Sequence, residues 1–93
     1  GWTVIHLAAW NGNTKIVKLL IDSGADIGNI DGTSGWTTLH YAANEGYADI
    51  VKLLIDSGAE VNATNNGNQT ALNLVARSGH KATVELLRKA GAR

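Results

Sequence analysis

The chain contains no cysteine, carries no net charge and has no apolar run long enough to cross a membrane. Without cysteine there are no disulfides to staple a small secreted domain, which favours a reducing, intracellular setting, cytoplasm or nucleus. The same absence suits an engineered or trimmed chain from which thiols were left out. The longest aliphatic stretches, such as residues 16–21, are interrupted by Lys18, so membrane insertion is not expected. Lys and Arg number 8 and Asp and Glu number 8. A protein that tracks a phosphate backbone carries a basic excess on one face, so nucleic acid is not an expected partner. The charges are interspersed, with no run that reads as a disordered tail. No signal peptide is expected, and a start in mid-pattern without methionine reads as a fragment or an engineered chain.

What is present is a repeat. The 93 residues suffice for one compact domain or one short array. The segment GWTVIHLAAWNGNTKIVKLLIDSGADI from Gly1 returns as GWTTLHYAANEGYADIVKLLIDSGAEV from Gly35, 34 residues on. It returns again, 33 residues later, as NQTALNLVARSGHKATVELLRKAGAR from Asn68. The copies therefore span 1–34, 35–67 and 68–93 of a single domain.

Each copy predicts two short helices. Thr3, Thr37 and Thr70 precede apolar segments and suit the N-cap, where a hydroxyl satisfies an orphan amide. Gly12, Gly46 and Gly79 end the first helix, and Gly24, Gly58 and Gly91 end the second. In the second helix Ile16, Val17, Leu19 and Leu20 form an apolar face at helical spacing, as do Ile50, Val51, Leu53 and Leu54. Thr83, Val84, Leu86 and Leu87 are the third set. Ala8, Ala9, Ala42, Ala43 and Ala76 are small enough to let neighbouring helices approach closely. The linkers 25–34 and 59–67 are rich in Gly, Asn, Asp and Thr, the composition of projecting hairpin-like loops. One such unit cannot bury its own apolar face, so the copies must stack. The fold class is all-α, a solenoid of helix-turn-helix repeats.

These residues resemble the ankyrin repeats. TVIHLAA from Thr3, TTLHYAA from Thr37 and TALNLVA from Thr70 match the family's T-P-L-H-x-A pattern, and GADI and GAEV match its helix ends. The resemblance covers essentially the whole chain and implies loops projecting as fingers, with the first helices lining a concave surface. The family's proline, at home in a first helical turn, is replaced by Val4, Thr38 and Ala71. Asn73 replaces the family's histidine in the third copy, which removes one expected contact between repeats. Thr83 and Arg88 replace isoleucines and predict a C-terminal capping repeat with a polar outer face. No such cap precedes the first repeat, whose outward face, including Ile5 and Leu20, is expected to be partly bare and open to self-association of an otherwise monomeric chain.

No constellation for catalysis or cofactor binding stands out. His6 and His40 recur at equivalent positions, and the resemblance implies that they tie helices together by hydrogen bonds rather than ligate metal; no cysteine or clustered carboxylate accompanies them. Ser23 and Ser57 are turn residues in repeated DSGA segments, and the glycines follow the repeat rather than a phosphate loop. An enzyme is not expected.

The resemblance instead implies a surface for a partner protein, as yet unidentified, made of Trp2, Trp10, Asn11, Thr33, Ser34, Trp36, Asn44, Glu45, Asn66, Gly67, Gln69, Arg77 and Ser78. Aromatic anchors among small polar residues suit recognition. For Trp2 and Trp36 two readings stand, anchors for a partner or rings packed against a neighbouring finger. The differences between copies at Trp10 and Asn44, Asn11 and Glu45, and Asn13 and Tyr47 favour binding. The near-identity of the first two copies favours the rival, a structural spacer or engineered array with no partner of its own. Lys15, Lys18, Asp22, Asp49, Lys52 and Asp56 predict a solvated back, with Asp49 and Lys52 spaced to pair. The resemblance also marks Asn62, after Glu60-Val61, as an asparagine of the kind hydroxylated in ankyrin hairpins.

Overall fold

A computed structural model describes residues 3–92. Six helices follow in order: α1 (Val4–Trp10), α2 (Thr14–Asp22), α3 (Thr38–Glu45), α4 (Ala48–Asp56), α5 (Ala71–Ser78) and α6 (Lys81–Lys89). They pack as pairs, and the pairs stack: α1 on α3 on α5 in one layer, α2 on α4 on α6 in the other. Each first helix begins with a reciprocal cap. The hydroxyls of Thr3, Thr37 and Thr70 accept from the amides of His6, His40 and Asn73, whose side chains accept in return from the threonine amides.

The two histidines go further. His6 Nδ1 accepts from the Thr3 amide at 3.2 Å, so Nε2 carries the proton that it donates to the Asn29 carbonyl at 2.9 Å. His40 does the same between the Thr37 amide at 3.0 Å and the Gln69 carbonyl at 2.9 Å. Each ring thus pins the finger that follows its repeat, and both nitrogens are committed. Burial pushes the His40 imidazole below its ordinary value, against the pull of the carbonyls it faces and of Asp31. In the third copy Asn73 keeps the cap, its Oδ1 accepting from the Thr70 amide at 2.9 Å.

Inter-repeat packing leaves no room for a side chain on two of the glycines. The Tyr47 ring lies on Gly12 and the His80 ring on Gly46, where an added Cβ would stand 2.8 Å and 2.6 Å from the nearest ring atoms. Both glycines also hold a positive φ, 76° and 77°, at the end of the preceding helix. Asn13, at the same place in the first repeat, caps its own helix by accepting from the Ile16 amide at 3.2 Å. Tyr47 and His80 provide no such side-chain cap. The Asn13–Tyr47 difference therefore serves stacking, which removes it from the differences that favour binding.

The core runs through the middle of the stack: Ala9, Val17, Ala42, Ala43, Ile50, Val51, Leu54, Val75 and Leu87 are fully buried. The end faces depart from expectation. In the first repeat Val4, Leu7, Ile16 and Leu19 are exposed, while Ile5 is buried and Leu20 half-buried. The bare side chains are those whose counterparts Thr38, Tyr41, Ile50 and Leu53 meet the preceding repeat. At the other end Ala76 is exposed although its counterparts Ala9 and Ala43 are buried, because nothing stacks on that side of α5 in the structure. Thr83 is buried against α4, not on a polar outer face; Arg88 is exposed. On the back, Lys52 pairs with Asp56 at 2.9 Å rather than with Asp49, and Lys18 pairs with Asp22 at 3.2 Å.

Candidate functional site

The finger between α2 and α3 is built on one carboxylate. Ile30 and Thr37 form an isolated antiparallel bridge, and the Asp31 amide donates to the Trp36 carbonyl at 3.0 Å. Inside this turn Asp31, only 2% exposed, accepts from the amides of Thr33, Ser34 and Gly35 and from the Ser34 hydroxyl. The Tyr41 hydroxyl of α3 donates a short hydrogen bond to its other oxygen. Burial alone would raise the Asp31 carboxyl, but the donors from Tyr41, Ser34 and Thr33 outweigh it and hold the group well below the usual carboxylate range. Tyr41 moves the opposite way, pushed up to about 12 by burial and by the carboxylate it faces.

The second finger uses the neutral equivalent. Asn65 Oδ1 accepts from the amides of Gly67 and Gln69, both at 2.9 Å, and its Nδ2 donates to Gln69 Oε1 at 3.0 Å. The fingers are laced together: Asn66 donates its amide to the Ser34 carbonyl at 2.8 Å and its Nδ2 to the Thr33 carbonyl at 3.2 Å. Asp31, Tyr41 and Asn65 had no place in the sequence reading. The Asp-Gly-Thr-Ser string, an acid before three turn residues, was the available signal for the first of them.

Against this frame the expected partner-facing residues fall into groups. Trp2 lies outside the described residues. Trp10 and Asn11 are exposed at the end of α1. Thr33, Asn66 and Gly67 are exposed on the fingers, where Asn66 is engaged between fingers and the Ser34 hydroxyl is turned onto Asp31. Trp36 is half-buried, with its ring 5.0 Å from that of Tyr41 and 5.9 Å from that of His40. It packs on the helix it introduces.

Trp36, Asn44, Gln69, Arg77 and Ser78 come together around Leu74 in a cleft of about 460 Å³ between α3 and α5. Leu74, missed because it reads as an ordinary core position, supplies the cleft's buried floor. Asn44 Nδ2 donates to Glu45 Oε2 at 3.3 Å, which ties Glu45 to the rim, and the Ser78 hydroxyl donates to the Leu74 carbonyl at 3.1 Å. Asn62 lies apart from this cleft, half-buried, its Nδ2 donating to the Gly91 carbonyl at 3.3 Å.

Among the described residues no group of three or more His, Cys, Asp or Glu is placed to hold a metal ion. No helix among them is long and apolar enough to cross a membrane. None of the curated proteins compared matches the chain in sequence. A family model for ankyrin repeats, in three copies, matches residues 5–93.

Proposed function

The chain belongs to the ankyrin-repeat family, and we propose that it is a protein-binding module whose partner lies along the first helices and the fingers. Ankyrin folds generically mediate protein–protein interactions. What supports this surface in particular is the cleft, where the copies differ: Trp36 stands opposite Gln69, Asn44 opposite Arg77 and Glu45 opposite Ser78. The first two back helices share the string IVKLLIDSGA, which becomes TVELLRKAGA in the third. The clamped fingers are formed before binding, so little ordering is lost on association.

The test is capture from a cell lysate with the intact chain and with a variant carrying Trp10→Ala, Glu45→Ala and Arg77→Ala, both shown to be folded by circular dichroism. A partner retained by the first and lost by the second supports the reading. Retention by both moves the site elsewhere, and no partner for either favours the spacer. An intracellular setting, cytoplasm or nucleus, and a third copy acting as C-terminal cap belong to the same proposal. So does the monomeric state, with Val4, Leu7, Ile16 and Leu19 as the face through which copies self-associate at high concentration. Hydroxylation of Asn62 is a separate proposal; a mass on its peptide without one added oxygen, in protein made in cells, counts against it.

A further inference from the structure

Resting on that reading, we infer that the α3–α5 cleft takes an extended peptide segment of the partner in which an acidic side chain and an apolar one stand four residues apart, the apolar residue on Trp36 and the carboxylate on Arg77.

The cleft has two chemically different ends. Trp36 and Gln69 come just before the capping threonines of α3 and α5, whereas Asn44, Arg77 and Ser78 lie where the same helices finish. From Thr70 to Arg77 the helix rises on the order of 10 Å, at 1.5 Å per residue. Arg77 also lies one helix across from Trp36, a step of about 8–10 Å, so roughly 14 Å separate the two ends, and four steps of extended chain at about 3.3 Å each cover that span.

At the first end Trp36 is fixed on one side by His40 and Tyr41 and borders the cleft with the remainder of its ring. An aromatic already held by packing anchors an apolar side chain with little loss of freedom. Beside it Gln69 Oε1 is taken by Asn65, which leaves Nε2 to donate to a peptide carbonyl.

At the second end Arg77 is the charged side chain that lines the cleft. The ion pairs among the described residues are Lys18–Asp22 and Lys52–Asp56, so its guanidinium pairs with no carboxylate among them. The neighbouring groups oppose an acid: Glu45 stands beyond Asn44, and the carbonyl end of α5 is negative. An acidic side chain is therefore drawn to one place, and only by Arg77, whose planar fork suits a carboxylate.

The experiment is selection of a displayed random heptapeptide library on the intact protein and, in parallel, on Arg77→Gln. Glutamine keeps the helix propensity of this exposed position, and circular dichroism verifies the fold of both. The expected result is enrichment of peptides with Asp or Glu four residues from an aromatic or large aliphatic residue. On Arg77→Gln the preference for Asp or Glu over Asn or Gln disappears. A synthetic eight-residue peptide with Phe and Glu at that spacing is expected to bind the intact protein about three- to tenfold more tightly than its Glu→Gln form, the range for a partly exposed charge pair. Its contact is read as amide shifts at Gln69, Leu74 and Arg77. Enriched peptides without an acid, shifting the same amides, overturn this inference while leaving the binding module intact. An acid preference that survives Arg77→Gln overturns it too, and failure to enrich any peptide on these residues counts against both.

Discussion

Replacing Thr38 with valine is expected to stabilise the fold. Thr38 is the first residue of α3, fully buried, and its hydroxyl oxygen has no hydrogen-bond partner. A hydroxyl taken out of water without compensation costs about 1–3 kcal/mol on protein scales. Valine has nearly the same shape, so it removes that cost and places a methyl group where the hydroxyl stood. Helix propensities of Thr and Val are close, and Val4 occupies the same position in the first repeat. The expected gain is about 1–2 kcal/mol, which for a chain of this size raises Tm by roughly 4–8 °C per kcal/mol. Urea denaturation with a common m-value for the two proteins measures it directly. The exposed counterpart Val4, replaced with threonine, provides the control and is expected to change stability by less than about 0.5 kcal/mol. Proline at 38, the family's residue, suits the first helical turn and is expected to add about 0.4–1 kcal/mol by restricting the unfolded chain. A Thr38→Val protein less stable than the parent would refute the reasoning, since it would mean that the hydroxyl is satisfied.

Gly46→Ala is expected to destabilise more than Gly79→Ala. Both glycines have φ of 77°, but an added Cβ at 46 meets the His80 ring and at 79 meets open space. The difference in urea midpoint isolates the ring contact, on the order of 1–3 kcal/mol; equal losses would remove it. On acidification, stability gained from the depressed Asp31 carboxyl is present above its ordinary value of 3.8 and is lost as pH falls below that toward the folded value. Tyr41→Phe removes one donor to Asp31, and is expected to make this acid limb shallower in a series of pH-dependent melts. His40, whose folded value is also depressed, costs stability as pH falls below 6.5, where only the unfolded chain takes up the proton. Leu19→Lys, on the bare leading face, is expected to leave Tm nearly unchanged and to abolish any concentration-dependent mass in light scattering; persistence of a larger species would place self-association elsewhere.

Much of this fold was legible because the repeat supplies its own alignment. Threonine caps, helix-ending glycines and the paired histidines stand at fixed offsets, and each offset corresponds to one local hydrogen-bond pattern. Which apolar residues at the end faces are exposed was not legible in the same way. Val4 and Ile5 are adjacent and equally apolar, and only the direction in which repeats stack distinguishes the exposed one from the buried one. Thr83 was misread for a related reason: its polarity suggested an exterior, whereas its position in α6 turns it to α4. The site was read in part. Substituted positions near the helix ends pointed to Asn44, Arg77 and Ser78, but composition could not reveal that Trp36 is shared between packing and the cleft. Nor could it show that the Ser34 hydroxyl is directed inward to Asp31.

Copies as alike as the first two pose a folding hazard, because second helices that differ only at their first two residues give the chain little means of telling one position in the stack from the next. Either could dock where the other belongs, within one molecule or by exchange between two. Tyr47 on Gly12 and His80 on Gly46 act as keys against such exchange: each ring fits the glycine before it. Asn13 carries no ring with which to take the place of either. The one-residue difference in finger length reinforces this, since Asn66 meets the carbonyls of Thr33 and Ser34 only in the native order. Small departures from perfect repetition thus determine the order of assembly, and a chain made uniform at these positions would fold into a mixture of registers.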